Sequence, residues 1–124
     1  MAPAPDWHPL CASRDLVEGG IACPFDVLYQ GQTCRAFAIR WNAQVHAYLN
    51  RCSHVAMEMD WRPHHFFDLS GQYLVCASHG ALFRPDTGAC VGGPGRGPLR
   101  KIDLLEHGEV VFWRSQYGLQ PVSF

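Results

Sequence analysis

Two short cassettes, Cys52-Ser53-His54 and Cys76-Ala77-Ser78-His79, separated by residues 55–75, constrain this chain more than any other feature. Each carries one thiol and one imidazole, both metal-binding groups, and neither holds enough donors to satisfy an ion alone. A fold that uses them must bring two distant loops to one place. Six cysteines in 124 residues would also suit a secreted, disulfide-stapled domain. However, the N-terminus Met-Ala-Pro-Ala-Pro-Asp-Trp-His-Pro has no cationic start followed by an apolar stretch. The expectation therefore moves to metal binding or free thiols in a cytoplasmic protein.

Elsewhere the apolar residues come in runs of roughly five to eight, rich in Val, Ile, Phe, Tyr and Trp and punctuated by Gly, Asn, Asp or Pro. Helical periodicity is scarce, and the pattern predicts an all-β chain. Residues 25–29, a turn at Gln30-Gly31-Gln32 and residues 33–40 read as a hairpin. Asn42-Ala43-Gln44 then turns the chain into 45–49, where Val45, Ala47 and Leu49 alternate with His46 and Tyr48. Across 51–97 Cys, His, Gly and Pro crowd together, and alternation survives only in pieces such as 72–75, after the turn Asp68-Leu69-Ser70-Gly71. This stretch is expected to be an inserted, site-bearing subdomain. Strands resume at 99–105, turn at His107-Gly108 and end at 110–113. At 48% hydrophobic, residues 1–124 are expected to form a single domain.

Thiolates are soft ligands suited to ferric iron bridged by sulfide, and neutral imidazoles suit a second iron. Two of each fit a mixed-ligand [2Fe-2S] cluster. The same four donors also fit a Cys2His2 zinc site. Zinc fingers usually pair Cys with Cys and His with His, whereas here each cassette is mixed and a glycine-rich loop follows. The arrangement resembles the Rieske family, whose signature is C-x-H, an intervening stretch and C-x-x-H. The likeness extends to His79-Gly80, to Phe83, to Pro85-Asp86-Thr87-Gly88 and to Gly92-Gly93-Pro94-Gly95-Arg96-Gly97-Pro98. It implies stacked antiparallel β-sheets with an inserted cluster-binding subdomain and one [2Fe-2S] cluster per chain. It further implies Cys52 and Cys76 on the inner iron, His54 and His79 on the outer iron near the surface, and 92–98 as a covering loop.

Respiratory members of that family join their ligand loops through two further cysteines; here those places hold Met57 and Ser78. High-potential members place a serine two residues after the second histidine and a tyrosine four after it, each donating a hydrogen bond to sulfur. This chain has Ala81 and Phe83. Reduction adds negative charge, so each missing donor destabilises the reduced state, and the resemblance implies a low-potential carrier near roughly −150 mV. Ferric iron acidifies the outer N–H groups of imidazoles that ligate it, so the potential is also expected to fall at alkaline pH. The implied function is that of a ferredoxin, a one-electron carrier between a flavin- or NADH-linked reductase and an oxygenase-type partner, without catalytic residues of its own. The alternatives are a small subunit or regulatory module of a reductase, similar to that of assimilatory nitrite reductases, and a zinc-stabilised interaction domain.

Net charge is -1 with histidines neutral, and the ten Lys and Arg are scattered singly apart from Arg100-Lys101. Nucleic acid is not an expected partner, and no apolar run approaches the length of a bilayer span. His64, His65 and Asp68 have the makings of a 2-His-1-carboxylate iron site, but adjacent residues in extended chain point to opposite sides, and a solvated loop is expected. Cys11, Cys23, Cys34 and Cys90 read as small buried or half-buried thiols on strands. His8, His46 and His107 read as surface or strand-end residues, and Met57, Met59 and Trp61 as local packing.

Overall fold

Two tight turns set the register of a central meander. β2 (Cys23–Tyr29), β3 (Gln32–Trp41) and β4 (Gln44–Leu49) are joined at Gln30-Gly31 and Asn42-Ala43, whose φ angles of 51, 80, 54 and 62 are all positive. Two-residue turns of this kind match the right-handed twist of paired strands. An alanine at positive φ is unusual, and here the Glu18 carboxylate accepts the backbone N–H groups of both Asn42 and Ala43, the latter at 2.8 Å. The computed structural model describes residues 6–51, 59, 64–76, 80–93, 97–116 and 118–122.

The remaining strands are β1 (Trp7–Ala12), β5 (Leu74–Val75), β6 (Leu82–Phe83), β7 (Cys90–Gly92), β8 (Lys101–Ile102), β9 (Leu104–His107), β10 (Val110–Arg114) and β11 (Leu119–Pro121). They form three antiparallel sheets: a central one ordered β11-β2-β3-β4-β8, a second ordered β1-β10-β9, and a third ordered β5-β6-β7. The third lies in the segment inserted between β4 and β8. The all-β expectation holds, with stacked antiparallel sheets.

Alternation along β3 and β4 sorts two buried faces rather than a buried and a wet one. Ala36, Ala38, Ala47 and Leu49 pack with Val27, Val111 and Trp113 toward the second sheet. Phe37, Ile39 and Tyr48 pack with Phe66, Leu74, Cys76 and Phe83 toward the inserted segment. Phe37 and Phe66 stack at 3.7 Å between centroids, 9° from parallel. Such pairs add about 0.5–1.5 kcal/mol beyond their area burial.

Arg40 fastens the layers together. Its Nε donates to Leu16 O at 2.7 Å and its Nη2 to Ser13 O at 3.1 Å. The guanidinium also grips both oxygens of Glu106 on β9, which holds that carboxyl below its usual range.

Three expectations change. The chain read as one strand over 99–105 is two, because Asp103 is where it leaves the central sheet for the second one, its carbonyl accepting the Arg114 N–H at 3.0 Å. The turn expected at His107-Gly108 falls one residue later, at Gly108-Glu109, both at positive φ. β1 was not foreseen, since Pro9 and a register shift between Pro9 and Cys11 break its alternation; an edge strand tolerates both.

Candidate metal centre

Cys76 directly follows β5 and is fully buried, 0% exposed, beside Leu74, Ala81 and Phe83. Its N–H donates to Ala81 O at 2.9 Å, and its carbonyl accepts the Gly80 N–H at 2.8 Å. The second cassette thus begins at a residue rooted in the core. Cys52, His54 and His79 lie outside the described residues, as do Met57, Trp61 and Ser78.

The start of the expected covering loop lies against this turn. A Cβ on Gly93 would stand 2.7 Å from Ala81 Cα and 2.9 Å from Gly80 O, and its φ is +76, so only glycine permits the approach. Residues 94–96 of that loop lie outside the described residues. Ala81 and Phe83, both 0% exposed, wall the turn with side chains that have no hydrogen to donate.

A second turn, over 84–88, is clamped onto the central sheet. The Tyr48 hydroxyl donates to Pro85 O at 2.8 Å, and burial keeps that phenol's pKa above its ordinary value, with Asp86 adding to the effect. Gly88 lies so close that a Cβ there would meet Tyr48 Cε1 at 2.7 Å. Arg84 grips Asp86 with two hydrogen bonds of 3.0 Å and draws its carboxyl below the usual range. Lys101 Nζ donates to Asp86 O at 2.6 Å.

The first cassette leaves the sheet at Asn50, a buried polar residue passed over in the sequence reading. Its Oδ1 accepts the Met59 N–H at 2.7 Å. An amide side chain two residues before Cys52, at the end of an apolar strand, was the available signal.

The other candidates do not converge. His64 sits at φ +69 with its carbonyl accepting the Ala22 N–H, and His65 lines an open cleft of about 330 Å³ with Ile21 and Leu69. Asp68 accepts the Ser70 hydroxyl at 2.7 Å. Among the described residues no group of three His, Cys, Asp or Glu could hold a metal. Cys11, Cys23, Cys34 and Cys90 are half-buried free thiols on β1, β2, β3 and β7. Burial above all, with Cys23 as its hydrogen-bonded neighbour, pushes Cys11 up to about 12, leaving it inert at neutral pH. His46 is a correction: it is 7% exposed and its Nε2 is buried without a partner, because the inserted segment covers the face on which it stands.

The residues present fit a [2Fe-2S] group at Cys76. A soft donor sits in dry, apolar surroundings on a closed turn, next to a backbone surface stripped of side chains. Among the described residues no helix is long and apolar enough to cross a membrane. No curated protein matches the sequence. Of solved structures, it is similar to the ferredoxin of carbazole 1,9a-dioxygenase from Nocardioides aromaticivorans IC177, at 24% identity and a TM-score of 0.70, covering 89% of this chain and 98% of that one. It is also similar to the terminal oxygenase of carbazole 1,9a-dioxygenase from Novosphingobium sp. KA1, at 24% and 0.69, over 94% of this chain but 31% of that one. A third likeness is to a complex of reduced oxygenase and oxidized ferredoxin, at 21% and 0.69, over 95% and 98%. At these identities the likeness establishes the shared fold. The sequence itself matches the Rieske [2Fe-2S] domain over residues 6–114, and the chain therefore belongs to that family, with one [2Fe-2S] cluster per chain.

Proposed function

We propose that this chain is a ferredoxin that takes one electron from a flavin- or NADH-linked reductase and passes it to an oxygenase-type partner. Residues 1–124 act as one Rieske domain, with 51–97 as its cluster-binding part and Cys52, His54, Cys76 and His79 as ligands. The observation that carries the reading is Cys76, sealed in the core at the root of a closed turn with Gly93 pressed against it. When bound, the cluster supplies reversible one-electron chemistry. The protein's part is to bury one end of the site, cover it with glycine backbone and withhold hydrogen bonds. Ala81 and Phe83 favour a low potential, since neither stabilises added negative charge on sulfur.

Two further observations support the assignment. The chain covers 98% of a solved protein that is the ferredoxin of a dioxygenase, so it holds the whole fold of such a carrier. Its five described cysteines are free, in keeping with a reducing, cytoplasmic setting.

The experiment is anaerobic purification with iron, zinc and acid-labile sulfide analysis, followed by EPR of the reduced protein. Equal iron and sulfide with a mixed-ligand spectrum is the expected result, and zinc without sulfide overturns it. Cys76→Ser and His79→Cys should each abolish that spectrum. A midpoint potential above roughly +100 mV would contradict the low-potential assignment.

A further inference from the structure

His46 on β4 is 7% exposed, and its Nε2 is buried with no hydrogen-bond partner among the described residues. Across the ladder on β3 it faces Ile39, which has no polar side chain to offer. The charges that act on the ring come from two other elements, Lys101 on β8 and Asp86 in the 84–88 turn. Tyr48, two residues along the same face, stays neutral because burial lifts its pKa above the ordinary value. Asp86 is already held by Arg84. Lys101 and Tyr48 tie the same turn to the central sheet: Nζ donates to Asp86 O at 2.6 Å and the hydroxyl to Pro85 O at 2.8 Å. The turn joins β6 to β7 and is closed by Gly88 N–H on Arg84 O at 2.8 Å, while Gly88 O accepts the Leu99 N–H at 2.9 Å. β6 in turn carries Phe83 into the core that holds Cys76.

We propose that His46 is an acid-sensitive latch: on gaining a proton it loosens the 84–88 turn from the central sheet and lets the β6–β7 hairpin open locally while the sheets stay paired. A neutral imidazole can keep its proton on Nδ1 and leave only a lone pair at the buried Nε2. A second proton makes Nε2 a buried donor and sets a cation beside Lys101. Contact with water relieves both costs, and the 84–88 turn is the cover that yields because its hold on the sheet depends on Lys101, the charge that protonation repels. Burial and then Lys101 hold the imidazole below 6.5, with Asp86 opposing them. The closed form therefore binds the proton less readily than the opened one, and opening grows as pH falls below 6.5, by up to about tenfold one unit lower. The inference concerns the turn and stands whichever residues bind the cluster.

The test is amide hydrogen exchange of the holoprotein from neutral to mildly acidic pH, expressed as protection factors and repeated in dilute urea. Protection of the Gly88 and Leu99 N–H groups should fall by up to about tenfold in acid and respond little to urea, since a local opening exposes little surface. Amides of the β3–β4 ladder should stay better protected and respond strongly to urea. His46→Gln should abolish the acid response at Gly88 and Leu99. Asp86→Asn, which removes the carboxylate acting on the ring, should keep it. An unchanged response in His46→Gln, its loss in Asp86→Asn, or turn amides that share the protection and urea dependence of the ladder would each overturn the proposal. Should His46→Gln not fold, the ring resonances of His46 in the wild-type protein decide: a folded-state titration below 6.5 supports the latch, and one at or above 6.5 overturns it.

Discussion

Along β3 and β4 the two faces of the central sheet differ in the size of their side chains. Toward the second sheet it presents Ala36, Ala38, Ala47, Val27 and Leu49, and toward the inserted segment it presents Phe37, Ile39, Tyr48 and Trp41. Sheets packed face to face sit about 10 Å apart, and small residues on one wall leave room for Trp113 and Val111 from the other. Among the described residues the strands of the inserted segment are only two or three residues long. Long side chains reach out to it instead, Phe37 lying flat on Phe66 and Tyr48 holding Pro85. One face is closed by shape and the other by a few anchors, so damage to the first should spread globally and damage to the second should stay near the metal.

The strongest way to break this contrast is to remove one large side chain from each side. Phe37→Ala and Trp113→Ala should each cost about 3–5 kcal/mol. In Phe37→Ala the cluster should be released at a lower denaturant concentration than the one that melts the sheets, whereas in Trp113→Ala the two events should coincide. Visible absorbance and far-UV circular dichroism followed in one titration check this, and coincident transitions in both variants would end the comparison. Overfilling sharpens it next: Ala47→Leu should destabilise by about 1–3 kcal/mol without altering the visible spectrum of the cluster.

A smaller effect concerns acid. His46 lies on the aromatic face, and burial, followed by the charge of Lys101, lowers its pKa from 6.5. Its neutral form is favoured in the folded state, so the stability it preserves above pH 6.5 is lost as pH falls toward the folded-state value. Urea melts between neutral and mildly acidic pH should show a shallower pH slope in His46→Gln than in wild type. The smallest effect belongs to the exposed Arg84–Asp86 pair: Asp86→Asn should change stability by less than about 1 kcal/mol, with the difference vanishing in high salt.

Much of the frame was legible because turn chemistry is local. Gln30-Gly31-Gln32 and Asn42-Ala43-Gln44 announce the two connections, which prove one residue shorter than read, and 45–49 carries a clear alternation. The cassettes were legible for a chemical reason, since thiol and imidazole so closely spaced have few structural uses. His46 was misread because alternation tells which side a residue takes and says nothing of what covers that side; the cover comes from strands too short to show a period. The split at Asp103 was hidden for a related reason, as residues 99–105 look alike whichever sheet claims them. Asn50 escaped notice because a single amide gains meaning only from Met59, nine positions away.

β4 and β8 are antiparallel neighbours, with Ala47 opposite Ile102 and Tyr48 opposite Lys101. Everything between them departs and returns through a gate one strand spacing wide, about 4.8 Å. The entropy of closing a flexible loop grows only logarithmically, so doubling its length costs about 0.6 kcal/mol. The frame therefore works as a socket with fixed terminals, in which the intervening stretch can be lengthened, trimmed or exchanged while the sheets beneath keep their pairing. Reach toward a partner and redox character can then diverge on an unchanged support.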